Sequence, residues 1–190
     1  MSTVLLFKSM SLDGYVAGPN VSDEHPMGEG GEQLHGWMTA ASMAAPDQEL
    51  IAEVRDRVGA SVVGRRTFEV GQPLWRDVPW PGPSFVVTHE ERAPLPQSNG
   101  TFTFVPDVAD AVKLAREAAG DATVILLGGA LSRQALAAGL VDEVAMDVVP
   151  VVFGSGKRYF GSVEAQHLLE DPHVVIQGDR VLHLRYRVRR

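Results

Sequence analysis

The chain has 190 residues, 45% hydrophobic and 22% charged, the composition of one globular domain that can bury a full core and not of a disordered or fibrous chain. Its 17 basic and 24 acidic residues leave a net charge of −7, which argues against nucleic acid as a partner while leaving room for a local anion pocket. The absence of cysteine removes disulfides, thiolate catalysis and Cys-type zinc sites.

Thr3 to Met10 reads as a first strand. Its apolar run, Val4 to Phe7, stops at Lys8 and is too short for a secretory core. No stretch approaches about 18 apolar residues, so a cytoplasmic protein without membrane contact is expected. Ser11 to Gly36, rich in Gly, Pro, Asn and Asp, reads as a long loop of the kind that serves as a lid. Leu34, Trp37 and Met38 fit one face of a short helix. Pro46 and Asp47 to Glu49 then open a second helix carrying Ile51, Val54 and Val58, with Gly59 placed to end it. Ser61 to Val63 is a buried strand, broken by Gly64, and Arg65 to Val70 begins a helix. Gly71 to Pro83, with four prolines and two tryptophans, reads as loop. Strands follow at Ser84 to Thr88 and Thr101 to Val105. Asp107 caps a helix carrying Val108, Ala111, Val112, Ala115 and Ala118, stopped by Gly120. Thr123 to Leu127 is fully apolar, as in a parallel sheet, and Gly128-Gly129 turns it into a helix, Leu131 to Ala138. Glu143 to Val152 is a strand and Phe153 to Gly161 a glycine-rich loop. Two C-terminal strands close the chain. In the last, Leu182, Leu184, Tyr186 and Val188 alternate with His183, Arg185, Arg187 and Arg189, and the C-terminal arginines read as one solvated face. The pattern implies an α/β fold: a largely parallel sheet with flanking helices and an antiparallel C-terminal hairpin, in a single domain over residues 1–190.

Two strand–glycine–helix junctions carry the chemical signal: Val62-Val63-Gly64-Arg65-Arg66-Thr67 and Leu126-Leu127-Gly128-Gly129-Ala130-Leu131. Helix N-termini offer unpaired N–H groups and a positive dipole end, and glycine lets an anion approach the backbone. Ligands of open α/β sheets sit outside the carboxyl ends of the strands. Two such ends can hold a diphosphate, with Arg65, Arg66 and Thr67 suited to a further phosphate such as the 2′-phosphate of NADPH. The same glycines also suit bare tight turns. Gly28-Glu29-Gly30-Gly31 is no dinucleotide fingerprint, Gly156-Lys157-Arg158 is no P-loop, and the six histidines lack ligand spacing, so no metal is expected. Asp13, in Ser11-Leu12-Asp13-Gly14, suits either substrate binding or proton relay, or an Asx-type turn. Trp37, Trp75, Trp80 and Phe153 can stack a planar ligand or fill core.

Ser11-Leu12-Asp13-Gly14-Tyr15-Val16-Ala17-Gly18, Val63-Gly64-Arg65-Arg66-Thr67-Phe68-Glu69, Leu127-Gly128-Gly129, Leu140-Val141-Asp142-Glu143 and Pro150 to Gly156 occur in that order. With them the chain resembles the dihydrofolate-reductase-like superfamily, and within it the stand-alone bacterial proteins grouped with the C-terminal reductase domain of the bifunctional riboflavin-biosynthesis protein. The resemblance implies a homodimeric NADPH-dependent oxidoreductase. It would pass hydride to a C=N or C=O group of a small heterocycle, as 5-amino-6-(5-phosphoribosylamino)uracil reductase does. By resemblance, Gly64, Arg65, Arg66 and Thr67 hold the phosphates, Thr88 and His89 lie near the adenosine, Gly128, Gly129, Ala130 and Leu131 cover the diphosphate, and Val16, Ala17 and Gly18 approach the nicotinamide ribose. By the same resemblance Asp13 would face the substrate and serve as the catalytic residue, and Trp37 and Phe153 are the aromatics expected to stack on that substrate. Leu127 stands where riboflavin-pathway reductases carry an acid, and Thr67 to Leu74 does not reproduce their Thr…Asp-x-Pro-x-Leu…Arg stretch. Gln48 stands where dihydrofolate reductases place a carboxylate. A dihydrofolate reductase and a non-catalytic nucleotide-binding protein of the same fold are the alternatives.

Overall fold

The structure, a computed structural model, describes residues 2–39, 43–75, 77–161 and 166–189. Its elements in chain order are β1 (Val4–Ser11), β2 (Tyr15–Ala17), a 3-10 turn (Gly31–His35), α1 (Gly36–Thr39), α2 (Ala45–Arg57), β3 (Val58–Gly64), α3 (Arg65–Trp75), β4 (Ser84–Val87), β5 (Leu95–Pro96), β6 (Thr101–Val105), α4 (Val108–Ala119), β7 (Thr123–Leu127), α5 (Gly129–Ala137), β8 (Glu143–Val149), β9 (Lys157–Arg158), β10 (Val174–Gln177) and β11 (Leu182–Arg187). Nine strands form one sheet in the order β10-β11-β8-β1-β7-β3-β4-β6-β5, and β2 pairs with β9. The pairs β1–β7, β3–β7, β3–β4 and β4–β6 are parallel, while β5–β6 and β10–β11 are antiparallel. The α/β sheet with its antiparallel C-terminal hairpin is the expected one.

The chain divides into two compact units, Met1–Leu6 with Val54–Glu143 and Phe7–Glu53 with Val144–Arg190. In the first, β3 and β7 are apolar and almost fully buried, as parallel strands covered on both faces must be. Asp107 caps α4 by accepting from Ala109 N at 2.7 Å and Asp110 N at 3.2 Å, and Val108, Ala111, Val112 and Ala115 form its buried stripe. Phe68 of α3 packs edge-on against Phe102 and Phe104 of β6, with ring centres 5.0 and 5.4 Å away. Asp142, part of one of the ordered motifs, accepts from Val4 N and from Arg116 Nη2, both at 2.9 Å, and so ties the start of β1 to α4.

Two expectations for this unit change. Val58 is not on α2, nor does Gly59 end it: both lie in β3, where a Cβ on Gly59 would stand 2.8 Å from Ala122 Cβ and 3.1 Å from Ala119 Cα, so the glycine permits close approach of the end of α4. The stretch from Gly71 is not all loop. α3 continues through Pro73 to Trp75, since a proline in the last turn forfeits a single backbone bond. A Cβ on Gly71 would lie 2.1 Å from the Trp75 ring, so the glycine lets the indole fold back onto the helix.

In the second unit the segment after β1 is held by its own backbone. Gly18 N donates to Met27 O at 2.9 Å and Glu29 N to Pro19 O at 2.8 Å. Leu34 and Trp37 are buried with Val149 and Val181, and Met38 and Phe153 pack against them, matching the short-helix expectation. The last strand is inverted relative to its expected facing. His183 and Arg185 are 1% and 3% exposed, while Leu182, Leu184 and Tyr186 are half-buried. Arg187 and Arg189 are exposed, and Arg190 lies outside the described residues. Alternation identifies which residues share a face; partners from distant sequence decide which face points inward.

Candidate functional site

In the first unit, β3 and β7 run parallel as neighbours with Val63 opposite Leu127, so the bends at Gly64 and Gly128 emerge side by side. A Cβ on Gly128 would stand 3.1 Å from Thr67 Oγ1 and 3.3 Å from Gly64 N, and its φ of +129° is one that residues with a side chain adopt only under strain. One built on Gly64 would lie 3.7 Å from Leu127 O. α3 starts at Arg65, and α5 starts at Gly129 with no side chain capping its N-terminus. Two helix N-termini thus open next to each other on half-buried glycine, a positive, donor-rich cradle for anionic oxygens. The residues present fit a diphosphate: the glycine bend that a side chain would crowd belongs to the cradle itself. Gly129 and Ala130 continue it, whereas the Leu131 side chain is buried and only its backbone is available to a ligand.

Arg65 and Arg66 are exposed beside this cradle. Arg65 Nη1 reaches Glu69 at 2.8 Å and Glu90 at 3.8 Å, and Arg92 bonds Glu90 and lies 3.8 Å from Glu69. The hydrogen bond from Arg92, then its charge and that of Arg65, hold the Glu90 carboxyl below its usual range. Thr88 is buried, its hydroxyl accepting from Glu90 N at 3.2 Å, and His89 is exposed. The structure therefore brings Gly64, Thr67 and Gly128 together, and brings Arg65 to the segment that follows Thr88.

In the second unit, Asp13 ties two loops. Its Oδ1 accepts from Ser11 Oγ at 2.6 Å and Phe153 N at 3.2 Å, and its Oδ2 from Gly154 N at 2.7 Å. Tyr15 N donates to Ser11 Oγ at 2.9 Å, and Leu12 N to Val151 O at 2.8 Å. The Ser11 bond first, then the backbone amides, lower the Asp13 pKa, so it is an ionised acceptor. Val16 is half-buried, whereas Ala17 and Gly18 are buried. A Cβ on Gly18 would fall 2.1 Å from Glu29 O, and one on Gly156 2.2 Å from Ala17 O, so these glycines serve backbone packing. Asp13→Asn replaces one acceptor oxygen with an NH2 donor facing a backbone amide. The Phe153 and Gly154 amides are expected to exchange with solvent faster in that variant, as amide hydrogen exchange would show; unchanged protection would mean the tie is not what orders the loop.

Sequence reasoning missed a buried cluster here. Asp47, at the start of α2, and Asp147, in β8, flank His183 of β11, with Asp147 Oδ1 at 2.7 Å from Nδ1 and Asp47 Oδ1 at 3.0 Å from Nε2. The available signal was Asp147, a carboxylate inside the otherwise apolar run Val144 to Val149, which needs a buried partner.

No helix among the described residues is long and apolar enough to cross a membrane. No curated protein matches the chain. Solved structures of several bacterial proteins share its fold. A Shewanella sp. PV-4 protein whose name provisionally assigns it to riboflavin biosynthesis is 20% identical, with all of both chains covered and a TM-score of 0.74. A pyrimidine reductase-like protein from Corynebacterium diphtheriae is 13% identical over 100% of this chain and 92% of its own, with a TM-score of 0.64. The deaminase/5-amino-6-(5-phosphoribosylamino)uracil reductase of Thermotoga maritima is 14% identical, with a TM-score of 0.62; the match takes in 99% of this chain but 57% of that one. The profile of the RibD C-terminal domain matches residues 2–183. With that match over nearly its whole length, this chain belongs to the RibD C-terminal domain family.

Proposed function

We propose that the protein is an NADPH-dependent reductase that passes hydride to a C=N or C=O group of a small heterocyclic substrate. The observation that carries the reading is the side-by-side placement of the Gly64 and Gly128 bends at two helix N-termini. Membership of the RibD C-terminal domain family supports it, as does likeness to a protein named as a uracil-derivative reductase. NADPH, when bound, supplies the hydride. The chain supplies orientation: backbone N–H groups of Gly64 to Thr67 and Gly128 to Leu131 hold diphosphate oxygens, with the Thr67 hydroxyl beside them. Arg65 and Arg66 take the 2′-phosphate, and Thr88 and His89 flank the adenosine. In the second unit Asp13, Trp37 and Phe153 serve the substrate, Asp13 as an acceptor. For Val16, Ala17 and Gly18 at the nicotinamide ribose, the resemblance is the support. A homodimer belongs to the same proposal, and light scattering at twice the mass of one chain tests it.

The deciding experiment is NADPH oxidation against a panel of pyrimidine, pterin and flavin substrates. Oxidation with a heterocycle is the expected result. NADPH bound without turnover would point to a nucleotide-binding protein without activity, and no NADPH binding would end the reading. Arg65→Ala is expected to weaken NADPH far more than NADH in fluorescence titrations. A charge-assisted contact to phosphate is worth roughly 1.5–3 kcal/mol, and the low end is expected because Glu69 and Glu90 compete for the same guanidinium. Equal weakening of both cofactors would remove the 2′-phosphate assignment.

A further inference from the structure

The second unit holds a buried polar line that the reductase reading leaves unused. Asp147, His183 and Asp47 are each at most 2% exposed, and both ring nitrogens of His183 face a carboxylate oxygen at hydrogen-bond distance. Two acceptors require two N–H groups, one more than a neutral imidazole carries. The line therefore holds one extra proton, on the ring or on a carboxyl. Burial pushes the Asp147 carboxyl up, and burial opposes charge on His183, yet the bonds to Asp147 and Asp47 raise the ring's pKa.

Two walls of a cavity hang on this line. The Trp37 indole meets the His183 ring edge-on, centres 4.9 Å apart, and its Nε1 donates to Ser9 Oγ at 3.3 Å. Ser9 Oγ in turn lies 3.5 Å from Asp147 Oδ2. On the other side, Asp47 Oδ2 accepts from Asp179 N at 3.2 Å, and a Cβ on Gly178 would fall 1.7 Å from Asp47 Oδ1. The hairpin turn is thus seated directly on the carboxylate. Arg180, at the same turn, takes a φ of +57°, a costly setting for a residue other than glycine. Trp37, Val149, Val151, Asp179 and Arg180 line a cavity of about 300 Å³, the lower bound for small-ligand pockets, with the mix of apolar wall and few polar groups such pockets show.

We propose that this cavity receives the planar ring of the substrate, face to Trp37, and that His183 is a positioning residue that sets both walls through the proton it shares with Asp147 and Asp47. The proposal rests on the reductase reading for its ligand, but not for its geometry. The other ionisable groups around the line are Arg185, 3.4 Å from Glu53, and Tyr159, whose hydroxyl donates to Ala145 O at 2.7 Å. Lys8, its pKa pulled down to about 7 by burial, donates to Tyr159 O at 2.7 Å. Asp179 and Arg180 lie at the turn itself.

The test uses the whole chain and 5-aminouracil as the probe ring. Calorimetry from about pH 6 to about pH 9 brackets a raised histidine pKa, while nitrogen-15 resonances of the His183 ring report its protonation. Affinity for the probe is expected to fall by about tenfold, an ordinary coupling factor, as His183 loses its proton, and the Trp37 indole N–H resonance is expected to move with the same midpoint. His183→Gln is expected to bind the probe weakly at every pH. Should that variant fail to fold, Trp37→Phe keeps the histidine titration and is expected to lose probe affinity throughout. No binding of the probe, affinity that stays level while His183 titrates, or full affinity in Trp37→Phe would each overturn the proposal. NADPH titration is read separately: its failure beside His183-dependent probe binding would sink the reductase reading and leave this one standing.

Discussion

Gly128→Ala is expected to cost about 1–3 kcal/mol of stability and to abolish measurable NADPH binding. The methyl would enter a backbone at φ +129° and meet Thr67 Oγ1 at 3.1 Å and Gly64 N at 3.3 Å, so it both strains its own bend and fills the neighbouring one. Gly139→Ala supplies the control. Gly139 follows the other end of α5, has φ +66°, and has open space where its Cβ would stand. It is expected to lose stability by backbone strain while keeping NADPH affinity. Calorimetric titration and denaturant unfolding of the two variants separate the effects. NADPH binding that survives in Gly128→Ala would mean the cradle is not the phosphate site.

His183→Leu is expected to be the most destabilising single change in the second unit, at about 3–5 kcal/mol, the cost of removing one member of a buried charged group. It leaves Asp47 and Asp147, 0% and 2% exposed, facing an apolar side chain. Denaturant midpoints measure the loss, and a cost within the range of an ordinary surface change would contradict the account. The wild type also acquires a pH signature. His183 has a raised folded pKa, so its contribution is complete below the unfolded value of about 6.5 and fades as pH rises through the folded value. Asp147, raised as well, acts in the same direction, because the folded state holds its proton more tightly than the unfolded one. Stability is therefore expected to decline on the alkaline side of about pH 6.5; His183→Leu is expected to remove the imidazole's part of that decline, while Asp147, no longer held down by the bond and charge of His183, keeps its own.

Much of this molecule is written locally. The apolar runs of β3 and β7, each ended by glycine and followed by a helix, disclose both junctions because strand burial, turn and helix start are all consequences of neighbouring residues. That the two bends lie side by side depends on β3 and β7 being sheet neighbours, a pairing of Val63 with Leu127 that joins residues far apart in the chain. Asp13 shows the limit differently. Its motif marks a turn, but the amides that fill its carboxylate come from Phe153 and Gly154. The inverted face of β11 was hidden for a kindred reason: an arginine and a histidine default outward unless partners exist, and here Asp47, Asp147 and Glu53 provide them. Pro73 lies inside α3 because a breaker residue weakens a helix without dictating where in its last turn it stops.

The most direct test is an amide nitrogen–proton correlation spectrum recorded while NADPH is added to the whole chain. The account predicts that the largest changes fall on Gly64, Arg65 and Thr67 and on Gly128, Gly129 and Ala130, both groups moving with one midpoint. A spectrum in which NADPH leaves those six amides in place, or moves a different surface, would contradict it.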